Sequence, residues 1–266
     1  MEPNARKELC SASSNAATHL LLPPLARLAV LLDLDGTLLD LAPVPSAVEV
    51  PNGLADLLDR LAARLGGALA VISGRPVEQV AALLPRLGIT IIGEHGAAIC
   101  RRPGLPLERT ALPEVPARWR AAARDLAAAH PGVLLEEKQH GFVLHYRGAE
   151  DAEAALHAGL DNLVAMSNGA FTIVPTVMGW ELRPTGANKG TAVRTLLDRP
   201  PFAGRVPLFI GDDVTDEDAI SAARQLGGFG FRVAPTFGDA AGVRAWLRSL
   251  LTAGESDEQG ARCAGL

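Results

Sequence analysis

The chain has 266 residues, a net charge of −5, 48% hydrophobic residues and only 4% aromatic ones. At roughly 150 residues per domain this is one large domain or two modest ones, and the scattered basic residues form no stripe to neutralise a nucleic-acid backbone. Cys10, Cys100 and Cys263 are too far apart for a disulfide framework or a zinc signature, and no run reaches the roughly 18 apolar residues of a membrane span, so reduced thiols in a soluble, cytoplasmic protein are expected.

Residues 1–24, rich in Ser, Ala and Asn, read as a disordered segment. Its apolar stretch from Leu20 is broken by Pro23-Pro24 and has no small-residue cleavage site, unlike a signal peptide. Leu28 to Leu32 then reads as a buried strand that ends in Asp33-Leu34-Asp35-Gly36. If strand geometry persists through the two acids, they point the same way, and Gly36 turns the chain behind them. Carboxylates held that close resist joint ionisation unless a cation lies between them or one keeps a proton. Such a pair suits phosphoryl transfer, with one Asp attacking and the other handling protons.

Leu54, Leu57, Leu58, Leu61, Ala62 and Leu65 recur at helical spacing, which predicts a helix over 53–66. A second buried strand, Ala68 to Ile72, runs into Ser73-Gly74-Arg75-Pro76. Here Ser73 can donate to a phosphoryl oxygen beside the Gly74 amide, or cap the helix that begins at Pro76. A strand at Ile89 to Ile92 leads into Gly93-Glu94-His95-Gly96-Ala97.

The middle of the chain changes character. Helix Ala117–His130, a hairpin of Val133–Lys138 and Phe142–Arg147, helix Asp151–Met166 and a hairpin of Phe171–Val174 and Trp180–Arg183 make an αββαββ unit. It is placed at residues 103–182, between Pro103-Gly104-Leu105-Pro106 and Arg183-Pro184-Thr185-Gly186. After it, Asn188-Lys189-Gly190 opens a helix, and strand Leu208–Ile210 runs into Gly211-Asp212-Asp213-Val214-Thr215-Asp216. Helices over Glu217–Leu226 and Ala240–Leu251 flank a strand at Phe229–Val233, and residues 253–266 read as a disordered tail. The alternation over residues 25–102 and 183–252 predicts an α/β core, a doubly wound parallel sheet. Ligands of such sheets bind at the carboxyl ends of the strands, where the polar clusters should converge.

This order of motifs resembles the haloacid dehalogenase superfamily of phosphohydrolases, with the inserted unit as its larger class of cap domain. The set Gly93-Glu94-His95-Gly96-Ala97, Glu136-Glu137-Lys138, His145-Tyr146-Arg147 and Glu181-Leu182-Arg183-Pro184 with Asn188-Lys189-Gly190 resembles the trehalose-6-phosphate phosphatases. The resemblance implies that Asp33 forms an aspartyl-phosphate and that Asp35 acts as general acid, then base. It implies a Mg²⁺ held by Asp33, the Asp35 carbonyl and Asp212, with Asp213 and Asp216 orienting waters or Lys189 behind them. Ser73, Gly74 and Lys189 would bind the phosphoryl group, while Lys138, Arg147 and Glu181 contact the sugar, with His95 and His145 as further candidates.

Two departures stand out. Ala98 replaces an acid common after the His-Gly-Ala segment, and the turn Val177-Met178-Gly179-Trp180 is short and lacks a basic residue. The implied substrate is trehalose 6-phosphate, made by a synthase partner. A sucrose, glucosylglycerol or mannosylglycerate phosphate, or an inactive regulatory domain that binds a sugar phosphate, stands as the alternative.

Overall fold

The computed structural model describes residues 21–42, 47–85 and 87–263, with side chains to residue 252. The first 20 residues, Cys10 among them, and residues 264–266 lie outside it. In chain order come β1 (Leu28–Leu32), α1 (Leu54–Arg64), β2 (Leu69–Ile72), α2 (Val77–Leu83), β3 (Thr90–Gly93), β4 (Ala98–Cys100) and β5 (Glu108–Arg109). There follow α3 (Ala117–Ala129), β6 (Leu134–Glu137), β7 (Phe142–His145), α4 (Glu153–Ala165), β8 (Phe171–Thr176) and β9 (Gly179–Pro184). The chain closes with α5 (Lys189–Leu197), β10 (Val206–Gly211), α6 (Glu217–Gln225), β11 (Phe229–Arg232), α7 (Val233–Phe237) and α8 (Ala240–Cys263).

One sheet has the order β11-β10-β1-β2-β3-β4-β5. Its first five strands are parallel, and β1 lies between β10 and β2, where the winding direction reverses. Residues alternate across β1: Leu28, Val30 and Leu32 pack with α1, α2 and α8, while Ala29 and Leu31 pack with α5 and α6. Every residue of β1 is therefore buried, as expected of a strand covered on both faces.

The sheet is not wholly parallel. β4 and β5 add to its edge antiparallel, and the sequence reading missed both. β5 is two exposed charged residues with no apolar alternation to betray it, tied in by the fork of Arg101 onto Glu108. Its membership also puts Glu108–Arg109 with the core rather than with the segment 103–182. The second sheet, β6-β7-β9-β8, is antiparallel and carries α3 and α4 on one face, where Trp119, Phe142, Leu144, Leu156, Leu160 and Leu182 form a separate core. The last helix, α8, continues past Leu251 to Cys263, where a disordered tail was expected; the segment has no proline to stop it. Cys100 is a free, buried thiol. No helix among the described residues is long and apolar enough to cross a membrane.

Candidate active site

Four neighbouring parallel strands deliver the polar clusters to one end of the sheet. Asp33 follows β1, Ser73 follows β2, His95 follows β3 and Asp212 follows β10. This is the crevice that an open α/β sheet offers to a ligand.

Strand pairing stops at Leu32, and the two acids beyond it part company. Asp33 is buried; its Oδ1 accepts a hydrogen bond from Lys189 Nζ at 2.5 Å and its Oδ2 one from Thr37 Oγ1 at 3.2 Å. Asp35 is more exposed and is gripped by Arg75, with Nε and Nη2 each 2.7 Å from a carboxylate oxygen. The carboxylates that crowd Asp33 are consequently Asp216 and Asp212, not Asp35 as its spacing suggested. Burial raises the Asp33 pKa well above the usual carboxylate range, the Asp216 charge adds to this, and Lys189 opposes it. Burial and Asp216 also lift Asp212, to about 6.

Lys189 opens α5 behind Asn188, whose side chain accepts from the Thr191 amide at 2.7 Å and caps the helix. Its buried ammonium bridges Asp33 and Asp216, the latter at 2.6 Å. Burial alone would lower its pKa, but the two carboxylates outweigh that and hold it above its ordinary value. A buried charge with both partners in place is tolerable; removal of one partner costs on the order of 3–5 kcal/mol.

Asp216 is fully buried, with one oxygen on Lys189 and the other accepting from the Asp213 amide at 3.0 Å. It holds Lys189 and also closes a capping box with Asp213. Asp213 itself spends its carboxylate on the Val214 amide and the turn. Gly36 explains how Asp212 reaches the cluster. Its φ is +76°, and a Cβ there would lie 2.1 Å from Asp212 Oδ2, so no side chain fits.

Asp33, Asp212 and Asp216 each offer an oxygen, all within 4.8 Å of one another. A set of hard carboxylate oxygens without nitrogen or sulfur donors fits a hard divalent cation. Asp216 has the weaker case as a ligand, because both its oxygens are engaged.

Ser73 is buried and accepts from the Arg75 amide at 3.1 Å, while α2 begins behind Pro76 without a side-chain cap. Ser73 therefore does not cap that helix. Gly74 underlies His95, whose ring atoms would lie 2.6 Å from a Cβ at that position. Glu94 and His95 both have positive φ, 53° and 55°, held by hydrogen bonds that the Glu94 amide donates to the Arg75 carbonyl and the His95 amide to the Ser73 carbonyl, each 3.0 Å. Consecutive left-handed residues without glycine are strained, and such strain gathers at functional sites.

Across the crevice, β9 turns Glu181 and Arg183 to the same side. Glu181, 4% exposed, accepts from Lys138 Nζ at 2.8 Å and faces His95 Nε2 at 3.5 Å. Burial works against its ionisation, and His95 and Lys138 overcome that, holding the carboxyl below its ordinary range. Burial lowers the His95 pKa, with Glu181 opposing, and its Nδ1 has no hydrogen-bond partner among the described residues. Arg183, given no role from the sequence beyond its motif, is buried, and its Nε and Nη1 have no hydrogen-bond partner among the described residues.

The remaining sugar candidates lie further out. His145 pairs with Glu136 at 2.8 Å. β7 ends at His145, so Arg147 sits exposed in a turn rather than on the strand where it was expected. Arg75 is the residue that sequence reasoning passed over: it stood inside a quoted motif, but only the fold brings it onto Asp35.

Residues 31–242 match the family model described as trehalose-phosphatase. The chain is 40% identical over 207 residues to "Probable trehalose-phosphate phosphatase" of Sinorhizobium fredii, covering 78% of each chain. It is 34% identical over 248 residues to "Trehalose-6-phosphate phosphatase" of Escherichia coli, covering 86% of this chain and 88% of that one. Its fold is similar to that of the trehalose-6-phosphate phosphatase C-terminal domain of C. albicans, with a TM-score of 0.71 at 19% identity over 85% of this chain and 93% of the other. With the site's geometry and these similarities together, the chain belongs to the trehalose-phosphatase family.

Proposed function

We propose that this chain is a Mg²⁺-dependent phosphatase that hydrolyses trehalose 6-phosphate to trehalose and phosphate. The observation that carries the chemistry is Asp33: a buried carboxylate at the mouth of β1, with Lys189 on one oxygen and Asp212 beside it. Asp33 attacks phosphorus and the bond to the sugar oxygen breaks, leaving an aspartyl-phosphate. Asp35 gives a proton to the departing sugar oxygen, then takes one from the water that releases phosphate. The Ser73 hydroxyl and the Gly74 amide donate to the phosphoryl oxygens, and Lys189 balances their charge. Mg²⁺, held by Asp33, Asp212 and the Asp35 carbonyl, would supply further charge neutralisation at those oxygens.

The unit built on the second sheet acts as the cap. Lys138 and Glu181 with His95 form the sugar side of the crevice, and their linkage across the two units supports this reading. A synthase that makes the sugar phosphate is the partner it implies. The test is phosphate release from a panel of trehalose, sucrose, glucosylglycerol and mannosylglycerate phosphates, with Mg²⁺ and with a chelator. Preference for any other ester would reassign the substrate, and full activity in chelator would remove the metal.

A further inference from the structure

We infer that Arg75 is the positioning residue for the Asp35 carboxyl, a role that rests on the reading of Asp35 as acid and base. The grip is bidentate, Nε to Oδ2 and Nη2 to Oδ1, both 2.7 Å, the geometry in which a planar guanidinium fixes a carboxylate's direction as well as its place. Arg75 is itself firmly seated. Its amide donates to Ser73 Oγ at 3.1 Å and its carbonyl accepts from the Glu94 amide at 3.0 Å. One residue thus ties the turn after β1 to those after β2 and β3. It sets Asp35, the phosphoryl-side Ser73 and the strained Glu94-His95 turn in one frame.

The need for such a residue follows from the chain's path. Asp35 lies beyond the last paired residue of β1, with Gly36 in the left-handed region behind it, so the strand no longer dictates where its side chain points. The charge of Arg75 also matches the second half of the task. Once Asp35 has given its proton to the departing oxygen it is a carboxylate, and it must stay in place as one until it receives a proton from the attacking water.

The test exploits leaving groups. A nitrophenolate departs without a proton, whereas a sugar or alkyl alkoxide needs one, so faulty placement of Asp35 penalises alkyl esters selectively. kcat/KM reports steps through the first departure and isolates this from later hydrolysis. Arg75→Ala is expected to lower kcat/KM for glycerol 3-phosphate and the sugar phosphates at least tenfold more than for 4-nitrophenyl phosphate. Arg75→Lys, which keeps the charge but loses the fork, should recover part of the difference. The variant Arg75→Ala combined with Asp35→Asn should be no worse than Asp35→Asn alone, since Arg75 acts through Asp35.

An equal fall on alkyl and aryl esters, or additive losses in the double variant, would make Arg75 a structural staple and overturn the inference. If Arg75→Ala does not fold by circular dichroism, Arg75→Lys decides on the same ratio, and a ratio equal to wild type overturns it. Because the ratio compares ester classes and not sugars, a wild-type enzyme that prefers a sugar other than trehalose would revise the substrate and leave this result intact.

Discussion

Glu181 on β9 and His95 on the turn after β3 meet at 3.5 Å, one from the antiparallel unit and one from the parallel core. Both are buried, so the contact joins the two units away from solvent. Because burial lowers the His95 pKa, this residue also makes the fold sensitive to acid. Its pKa is lowered on folding, so below about pH 6.5, the ordinary value, the unfolded chain takes up a proton that the folded chain resists. Stability therefore falls as pH drops through that window and is fully present above it.

The expected slope from this one group is at most about 1.4 kcal/mol per pH unit. Urea unfolding of wild type and His95→Gln between pH 7.5 and 5.5 checks it. The variant should lose less stability over this range than wild type. Parallel pH curves would mean that His95 takes up its proton as readily in the folded chain as in the unfolded one.

Asp33→Asn should remove turnover, because a neutral amide is a poor nucleophile. The amide also keeps the side chain's volume and still accepts from Lys189, which limits the damage to folding. Acid-quenched wild-type enzyme incubated with labelled substrate should carry phosphate on the peptide containing Asp33. Label on any other residue would reassign the nucleophile.

Much of this site was legible because its residues follow apolar strands, and buried strands announce themselves. Asp33, Ser73 and Asp212 each stand directly after such a run, and Lys189 behind a helix-capping Asn188. What stayed hidden depends on contacts between segments far apart in sequence. The i, i+2 spacing of Asp33 and Asp35 suggested one shared site, yet each acid has its own cation, because pairing ends at Leu32 and Arg75 arrives from another strand end. β5 was invisible for a different reason: two exposed charged residues carry no periodicity. The rank order of the candidate sugar residues could not be read from motifs either, since Lys138 and Arg147 look equivalent until β7 is seen to end before Arg147.

Gly36→Ala should separate the cluster's geometry from its composition. The left-handed backbone alone costs about 1–2 kcal/mol with a Cβ present, and the methyl group collides with Asp212. The variant should be less stable and should need a higher Mg²⁺ concentration for half-maximal activity. Reduced stability with an unchanged Mg²⁺ requirement would show that Asp212 does not help to hold the ion.

The sugar side allows a graded test, because the structure ranks residues that the motifs left equal. Lys138 donates to the buried Glu181 and borders the crevice, whereas Arg147 lies in an exposed turn. Lys138→Ala should therefore weaken use of trehalose 6-phosphate more than Arg147→Ala does. Loss of hydrogen bonds to sugar hydroxyls costs on the order of 1–3 kcal/mol in kcat/KM. Glu181→Gln is the sharper substitution: it keeps the shape of the side chain while removing the charge that Lys138 and His95 face. Its effect should equal or exceed that of Lys138→Ala. For each variant the informative quantity is kcat/KM for trehalose 6-phosphate divided by that for 4-nitrophenyl phosphate, normalised to wild type. That ratio should fall for Lys138→Ala and Glu181→Gln, because the aryl ester offers no hydroxyls to the cap. If Arg147→Ala lowers it as much as Glu181→Gln does, the turn after β7 must fold over the crevice when substrate binds, and the ranking drawn from this geometry fails.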